Sequence, residues 1–304
     1  MQGGLKHQGL NLDFNPFISD EQLSGGPPEQ QQQWPGREKY MRPKVDHGEN
    51  SYKGGEKLRG KKALVTGGDS GIGRAVAIAF AREGADVAIS YLEEHDDAKE
   101  TLHWIEKEDV RGFSFSGDLS DPDYCSNLID SAADRLGGLN ILVNDAGVHF
   151  ETTEFTDITP DQLQQTFKTN VFAFIWTTQN SLKYLQAGDS IINVGSVTAL
   201  RGSKTLVDYA CTKAAIHNLT KSLAQLLAPK GIRVNCVSPG PVWTPLIPST
   251  RANEKIEHFG ASTFWGRAAQ PAEIAPSFVF LASADSRFYT GEIIAPTGYS
   301  DTTR

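Results

Sequence analysis

Short apolar runs alternate with helical patterns along most of the chain, from Leu58 onward. Each run is continuous, which is typical of strands in a parallel sheet that is covered on both faces. The seven runs read, in order, KKALVTGG, DVAIS, GFSFSGD, NILVND, DSIINVGS, IRVNCVSPG and GEIIAP. Strand and helix taking turns in this way predict a doubly wound parallel α/β sheet over residues 58–304.

The helical stretches between these runs carry their own end signals. GRAVAIAFAREGA stops at Gly84, and Asp121 followed by Pro122 supplies an N-cap residue and a first-turn proline. The helix that begins there is expected to end near Leu136, before Gly137. Further helices are predicted over residues 96–108, 160–186 and 209–227, and a last one ends with 278–284.

Residues 1–57 differ from the rest, because they are rich in Gly, Pro and Gln and show neither helical nor strand periodicity. Such a segment buries little apolar surface to offset the entropy lost on ordering. We expect an irregular N-terminal extension that is either disordered or draped over the domain, with Trp34, Tyr40 and Tyr52 as candidate anchors. A clasp around a neighbouring subunit is a third possibility.

Composition narrows the range of partners. The 304 residues carry a formal net charge of -8, which argues against nucleic acid and anionic membrane surfaces. The N-terminus lacks an apolar run of signal-peptide length, and the longest apolar stretch, Ala75 to Ala81, is far too short to span a bilayer. A soluble, cytoplasmic protein is expected.

Cysteine and histidine usage gives no sign of a metal site. Cys125, Cys211 and Cys236 are scattered without a metal-ligand spacing, which suits a reducing compartment, and each is expected to be a small buried apolar residue. The seven histidines show no ligand spacing either, so no catalytic metal is predicted.

The turn after the first strand reads TGGDSGIG, residues Thr66 to Gly73. Glycines allow a tight turn and close approach of the backbone to a pyrophosphate, and the following helix N-terminus supplies amide donors. A glycine-rich loop without a ligand is the alternative. A P-loop is excluded, because no Gly-Lys-Ser/Thr follows.

The stretch DYACTK places Tyr209 and Lys213 one helical turn apart, on one face. A cation beside a phenol favours the phenolate and lowers its pKa from about 10. Because such a pair also occurs by chance in surface helices, its meaning depends on the rest of the chain.

Read together, these motifs resemble the short-chain dehydrogenase/reductase family, whose members have a Rossmann fold. The matching segments are Thr66 to Gly73, Asn144-Asp145-Ala146-Gly147, Asn170 in KTNVFA, Ser196 in NVGSVTA, Tyr209 with Lys213, and Pro239-Gly240. The N-terminal extension and the phrases LVTGGDSGIGRAVA and PGPVWTPLIP resemble the subgroup of general-stress-type and glucose/ribitol-dehydrogenase-like oxidoreductases. Two departures are Asp145, where the family usually has Asn, and a chain end without Asp-Gly-Gly.

The resemblance implies an NAD(P)-dependent oxidoreductase that moves a hydride between the nicotinamide and a carbonyl or secondary alcohol. Tyr209 would exchange the proton, and Lys213 would lower the pKa of Tyr209 and bind the nicotinamide ribose. Ser196 would bind the substrate oxygen, and Asn170 would hold a water that relays protons. A homotetramer built through the Tyr-Lys helix and the helix before it is also implied. A cofactor-binding redox sensor or stress-related binding protein with little turnover is the alternative.

The resemblance also implies the cofactor contacts. They are Thr66, Gly67, Ser70, Gly71, Ile72 and Gly73 in the turn, Tyr91 after the second strand, Asp118 and Leu119 around the adenine, Asn144, Ala146 and Gly147 on the ribose side, Tyr209, Lys213, Pro239 and Gly240, and Val242 and Thr244 at the carboxamide. The stretch from Ser90 to His95 has no Lys or Arg, and the turn has Asp69-Ser70. Because a basic residue would be needed for the extra phosphate, NAD is favoured over NADP.

The substrate pocket is predicted from the segment after the sixth strand. Residues 246–265 are expected to form a mobile lid. Its apolar members would be Leu246, Ile247, Phe259, Phe264 and Trp265, with His149 and Phe150 adding to the floor. Ordinary packing of these side chains is the alternative.

Overall fold

The computed structural model describes residues 26–251 and 256–299. One sheet of seven parallel strands runs through the domain in the order β3-β2-β1-β4-β5-β6-β7. The strands are β1 Lys62–Thr66, β2 Asp86–Tyr91, β3 Gly112–Ser116, β4 Ile141–Asn144, β5 Ser190–Val194, β6 Arg233–Val237 and β7 Ile293–Ile294. The predicted doubly wound parallel sheet is confirmed.

Helices cover both faces of the sheet. They are α1 Gly71–Arg82, α2 His95–Glu106, α3 Pro122–Leu136, α4 Pro160–Phe167, α5 Ala173–Ser181, α6 Thr198–Arg201, α7 Val207–Leu227, α8 Leu246–Thr250 and α9 Pro271–Ala282. Successive strand residues face opposite sides, so Val65 packs in the core under α1 and α9, whereas Leu64 packs in the core under α3. Both faces of the five central strands are therefore dry, which explains their continuous apolar runs, whereas the edge strands β3 and β7 are only partly buried.

The order of the strands reverses between β1 and β4. Thr66 lies beside Ser90 of β2 on one side and beside Asn144 of β4 on the other. The carboxyl ends of these strands therefore open into one crevice, where ligands bind in folds of this kind.

The prediction of one long helix over residues 160–186 is wrong. The stretch is divided into α4 and α5 by a π-helical turn, Lys168–Phe172, and α5 ends at Ser181. The side chain of Asn170, inside that turn, bonds to the backbone of Val148 at 2.8 Å in both directions. The pattern of apolar and polar residues along the chain could not predict this tertiary contact.

Residues 26–57 form an irregular extension that is draped over the domain, with one short 3-10 helix, Glu38–Tyr40. Met41 is its deepest anchor and packs with Trp243 and Ile247 in a buried cluster. Trp34 contacts Phe150, but Tyr40 is 58% exposed and its predicted anchoring role is wrong.

Tyr52 is the remaining predicted anchor, and its hydroxyl donates to the carboxylate of Glu83. Cys125 and Cys236 are buried as expected, whereas Cys211 is exposed, so that prediction is wrong for Cys211. No helix within the described ranges is long and apolar enough to cross a membrane. The same ranges contain no group of three or more side chains placed to hold a metal ion.

Candidate active site

A cleft of about 630 Å³ lies along the carboxyl ends of the strands, at the crevice beside β1 and β4. Most of the predicted site residues line it: Gly67, Ser70, Gly71, Ile72, Tyr91, Asp118, Leu119, Ala146, Gly147, Ser196, Tyr209, Lys213, Pro239, Gly240, Val242 and Thr244. The structure thus brings together residues that lie up to 177 positions apart in the chain, from Gly67 to Thr244.

The glycine turn is shaped by steric demands at three positions. Gly67 and Gly71 have φ angles of +68° and +51°, in the region that favours glycine. Gly73 has no such angle, but a Cβ atom there would clash with the carbonyl oxygen of Gly67. The turn and α1 can therefore meet closely only with glycine at these positions.

One amide of this turn is already engaged. The N–H of Gly71 donates to Glu38 Oε1 of the N-terminal extension at 2.7 Å, and Glu38 in turn bonds to His47 at 2.8 Å. The first amide of α1 is therefore satisfied by the carboxylate of Glu38. The role of Gly71 in the turn is to supply a backbone conformation with positive φ.

Four predicted site residues lie behind the cleft and support it. Thr66 Oγ1 accepts from the backbone N–H groups of Asp145 at 3.0 Å and of Ala146 at 3.2 Å. Asn144 is fully bonded inside the sheet, with Asn193 at 3.0 Å among its partners. Together with Gly73 and Asn170, these residues hold the cleft wall in shape without lining it.

Tyr209 lies in the cleft beside Ser196. Burial raises the pKa of the Tyr209 phenol to about 12, while its hydrogen bond with Ser196 and the charge of Arg251 lower the pKa in part. The net pKa of the phenol therefore lies above 10 rather than below it, because desolvation outweighs the charge of Arg251.

Lys213 is buried one turn along α7. Its Nζ donates to the carbonyl oxygen of Val194 at 2.8 Å and lies 5.6 Å from the centre of the Tyr209 ring. Burial lowers the pKa of Lys213 to about 8, and the nearby carboxyl group of Asp145 opposes that shift. Lys213 is therefore held at the end of β5, between the phenol and the wall formed by Gly147.

Asp145 is the departure from the family pattern, and it lines the cleft beneath the glycine turn. Burial raises the pKa of Asp145 to about 7, and the charge of Lys213 opposes this. A titratable acid thus lies within the electrostatic reach of both Lys213 and Tyr209.

Comparison with known proteins agrees with this geometry. A family model described as Enoyl-(Acyl carrier protein) reductase matches residues 67–298. The crystal structure of a short chain dehydrogenase from Burkholderia cenocepacia J2315 in complex with NADP is 34% identical in sequence, with a TM-score of 0.75 over 80% of this chain and 98% of that chain. This chain belongs to the short-chain dehydrogenase/reductase family.

Curated relatives fall in the predicted subgroup. The chain is 45% identical to General stress protein 39 of Bacillus subtilis, over 90% of this chain and 95% of the relative. It is 43% identical to Glucose and ribitol dehydrogenase of Daucus carota, over 90% and 97%. The family resemblance is confirmed, and the protein is an NAD(P)-dependent oxidoreductase of the short-chain dehydrogenase/reductase family.

The cleft of this short-chain dehydrogenase/reductase suits a dinucleotide. Its floor is the glycine turn, where Cβ atoms are excluded and the N-terminus of α1 faces the cleft. The cleft extends from the ends of β2 and β3, at Tyr91 and Asp118, to Tyr209 on α7. An adenosine at the first end and a nicotinamide at the second therefore fit the residues present.

The substrate end combines predicted and unpredicted residues. Leu246, Ile247 and Phe259 line the cleft as expected, but Phe264 and Trp265 are 79% and 66% exposed and do not. Within the predicted lid, residues 252–255 lie outside the described residues.

The floor beside Tyr209 is formed by His149, whose ring packs edge-on against the phenol at 5.2 Å between centroids. Burial lowers the pKa of His149 to about 3, so the imidazole is neutral. Phe150 does not line the cleft, but its ring packs against that of Trp34. Trp34, Pro35 and Gly36 of the N-terminal extension do line the cleft. No sequence motif indicated that the N-terminal extension would form part of this wall.

Proposed function

We propose that this enzyme interconverts a carbonyl group and a secondary alcohol, with Tyr209 as the general acid and base. The observation that carries the proposal is that Ser196 and Tyr209 line the same cleft, with the buried Lys213 one helical turn from Tyr209. When bound, the nicotinamide supplies or accepts the hydride.

Each of these side chains has a role that suits its surroundings. Ser196 would donate a hydrogen bond to the substrate oxygen, where negative charge develops during reduction. Tyr209 is protonated at neutral pH, because burial raises its pKa to about 12, and it would therefore give its proton to that oxygen. In the oxidative direction the phenolate would be stabilised by the positive charges of Lys213 and Arg251.

Lys213 and Asn170 would act from behind the phenol. Lys213 would bind the nicotinamide ribose, since its ammonium group faces the cleft between Val194 and Gly147. Asn170 fixes the backbone of Val148 and also donates to Thr212 Oγ1 at 3.2 Å, on α7. We retain for it the role of holding a relay water near Lys213.

The choice between NAD and NADP is a point on which the relative and the residues of this chain disagree. The Burkholderia relative is complexed with NADP, which favours NADP. In this chain Glu94 follows β2, and Asp69 of the glycine turn lies close enough to interact with it; both carboxyl groups are buried, and burial raises the pKa of both. The described lysines and arginines that line the cleft all lie within residues 168–251, away from β2. Arg37 and the buried Arg74 act on Asp97 near the start of α2, but neither lines the cleft, so a second phosphate in the cleft would have no cation beside it and we propose NAD.

Association and location stay predictions. Leu163, Phe172 and Leu226, on or beside α4, α5 and α7, are 42–65% exposed, which supports the proposed tetramer through these helices. Deleting residues 1–25 and measuring the mass in solution would test whether that part of the extension, outside the described residues, clasps a partner. A cytoplasmic location is likewise proposed from the sequence.

The test is oxidation of NADH and NADPH, followed separately by absorbance, against a panel of aldehydes, ketones and sugars. Turnover with one class of carbonyl compound is expected. Tight binding of the cofactor with no turnover across the panel would contradict the proposal and favour the redox-sensor alternative. The presence of Ser196, Tyr209 and Lys213 together in one cleft argues against that alternative.

A further inference from the structure

A basic side pocket of about 400 Å³ opens from the substrate end of the cleft. We call it the arginine pocket; it is lined by Thr198, Arg201, Gly202, Ser203, Lys204, Thr205, Leu206 and Arg251. Thr198, Arg201, Leu206 and Arg251 line the main cleft as well, so the two spaces are adjacent and share these side chains.

Arg251, directly after α8, is the most buried of the basic side chains that line this pocket. Its side chain is 22% exposed, and its Nε is buried without a hydrogen-bond partner in the described structure. Its Nη1 lies 4.0 Å from Oε1 of Glu151, at the outer limit of an ion pair. Because a buried donor without a partner is costly, this arginine is ready to bind an acceptor.

Arg201 adds a second positive charge at the end of α6. Burial lowers the pKa of Arg251, and the charge of Arg201 lowers it further, which shows that the two cations act on each other. Lys204 adds a third cation at the exposed rim, and no carboxylate is among the residues that line the pocket within the described ranges. An anion between these cations would relieve their repulsion.

The pocket is also close to the reacting group. The positive charge of Arg251 acts on the Tyr209 phenol, and His149, which packs on the Tyr209 ring, hydrogen-bonds Thr250 at 3.1 Å, next to Arg251. A single small molecule can therefore place its carbonyl group at Tyr209 and a charged group at Arg251.

We propose that the substrate is a carbonyl compound, or the corresponding alcohol, that carries an anionic group bound by Arg251 and Arg201. This inference rests on the proposed function, since it names the substrate class of the same site. The anionic group is a carboxylate or a phosphate, both of which accept paired hydrogen bonds from a guanidinium.

The first experiment compares turnover of short aldehydes that end in a carboxylate with turnover of their neutral methyl esters. Wild-type protein is expected to prefer the charged member of each pair by at least about tenfold in kcat/KM. Arg251→Gln and Arg201→Gln should remove the preference, whereas Arg251→Lys should keep part of it. Arg59→Gln, at an arginine 75% exposed and outside the cleft, is the control and should change nothing. Equal turnover of both members, or an unchanged preference in Arg251→Gln, overturns the inference and leaves the proposed function standing.

The second experiment does not depend on turnover. Calorimetry on protein saturated with oxidised cofactor measures binding of benzoate, phenyl phosphate and benzamide, which have similar shapes but differ in charge. Benzoate or phenyl phosphate should bind at least about tenfold more tightly than benzamide, with the stronger of the two identifying the anionic group, and Arg251→Gln should abolish the difference. If no carbonyl compound is turned over but this difference holds, the proposed function fails and the anion site stands. Equal binding of all three probes overturns the site.

Discussion

At the scale of single residues, Asp145 stands where the family motif leads us to expect Asn. A carboxyl group replaces the usual amide, and it interacts electrostatically with both Lys213 and Tyr209. The negative charge raises the pKa of each partner, because it favours the ammonium ion and disfavours the phenolate. Asp145 is thus positioned to shift the pH range in which the phenol works, without touching the substrate.

Replacement of Asp145 by Asn should shift that range. Without the carboxylate the pKa values of Tyr209 and Lys213 both fall, so the alkaline rise of alcohol oxidation should move about one unit toward lower pH. The measurement is kcat/KM for oxidation as a function of pH in both proteins. A superimposable profile in Asp145→Asn would show that the carboxyl group has no electrostatic role, whereas a loss of activity at every pH would indicate a structural one.

Asn170, Ser196, Tyr209 and Lys213 could be selected from the sequence as catalytic candidates because their motifs follow one another in a fixed order. The sequence could not predict the direction of the Tyr209 pKa shift, which depends on how far the folded chain desolvates the phenol. Nor could it predict that Arg201 and Arg251 face one pocket, since they are 50 positions apart and belong to two short helical segments that no periodicity marks.

At the scale of elements, the glycine turn makes a steric prediction. Gly73→Ala should place a methyl group against the carbonyl oxygen of Gly67 and force the start of α1 away from β1. We expect a loss of about 1–3 kcal/mol in the free energy of unfolding, as for overpacked sites, together with weaker cofactor binding. Urea unfolding and dinucleotide titration measure the two effects.

Gly55→Ala is the matched control for that substitution. The nearest atom to a Cβ at Gly55 is 3.7 Å away, so the added methyl group meets no backbone. If Gly73→Ala were as stable as Gly55→Ala, the close approach between the turn and α1 would not be essential.

The end of β2 carries the prediction about cofactor choice. Leu92 lines the cleft beside Glu94, so Leu92→Arg should supply the missing cation for a 2′-phosphate. The ratio of the NADP and NAD dissociation constants should fall by about tenfold, which corresponds to about 1.4 kcal/mol. Leu92→Gln serves as the neutral control. An equal ratio in both variants would mean that the phosphate position lies elsewhere, and a wild type that already prefers NADP would contradict the NAD proposal.

The observed bounds of the elements agree best with the predicted ones for the strands that are buried on both faces. Six strands lie within their predicted apolar runs, and β2 extends one residue past DVAIS to Tyr91; β7 keeps only Ile293 and Ile294 of GEIIAP. The π-helical turn around Asn170 was missed because a backbone–side-chain contact with Val148 overrides the local helical pattern.

At the scale of the whole molecule, the N-terminal extension is joined to the domain by a buried charge network. His47 is 3% exposed and lies between Glu38 at 2.8 Å and Glu49 at 2.9 Å, and Glu38 also caps Gly71. Burial alone would lower the pKa of His47, but the two carboxylates outweigh it and raise the pKa to about 9. The extension therefore stabilises the glycine turn through a protonated histidine.

This network predicts a pH dependence of stability. The folded-state pKa of His47 is above its unfolded value of 6.5, so its contribution is fully present below pH 6.5 and is lost as the pH rises through about 9. The free energy of unfolding should fall by up to about 3 kcal/mol over that range. His47→Gln should remove this fall, while His103→Gln, an exposed histidine on α2, should keep it. If the free energy of unfolding fell equally with pH in the wild type and in His47→Gln, the charge network would not contribute to stability.

The path of the extension could not be read from its sequence. Its composition resembles that of disordered segments, and its main anchor, Met41, is a single apolar residue without periodic neighbours. Burial of Met41 depends on Trp243, 202 positions away, which only the folded domain provides. For the same reason, the contribution of Trp34 to the cleft wall emerged only from the structure.

The central claim is that Tyr209 transfers the proton, and Tyr209→Phe tests it most directly, because the change removes one hydroxyl group from the cleft. Turnover and the cofactor dissociation constant should be measured on the same preparation. If Tyr209 transfers the proton, kcat should fall at least about 100-fold, while the dissociation constant should change less than about threefold. Turnover within a few-fold of wild type would contradict the account and assign the proton transfer to another group.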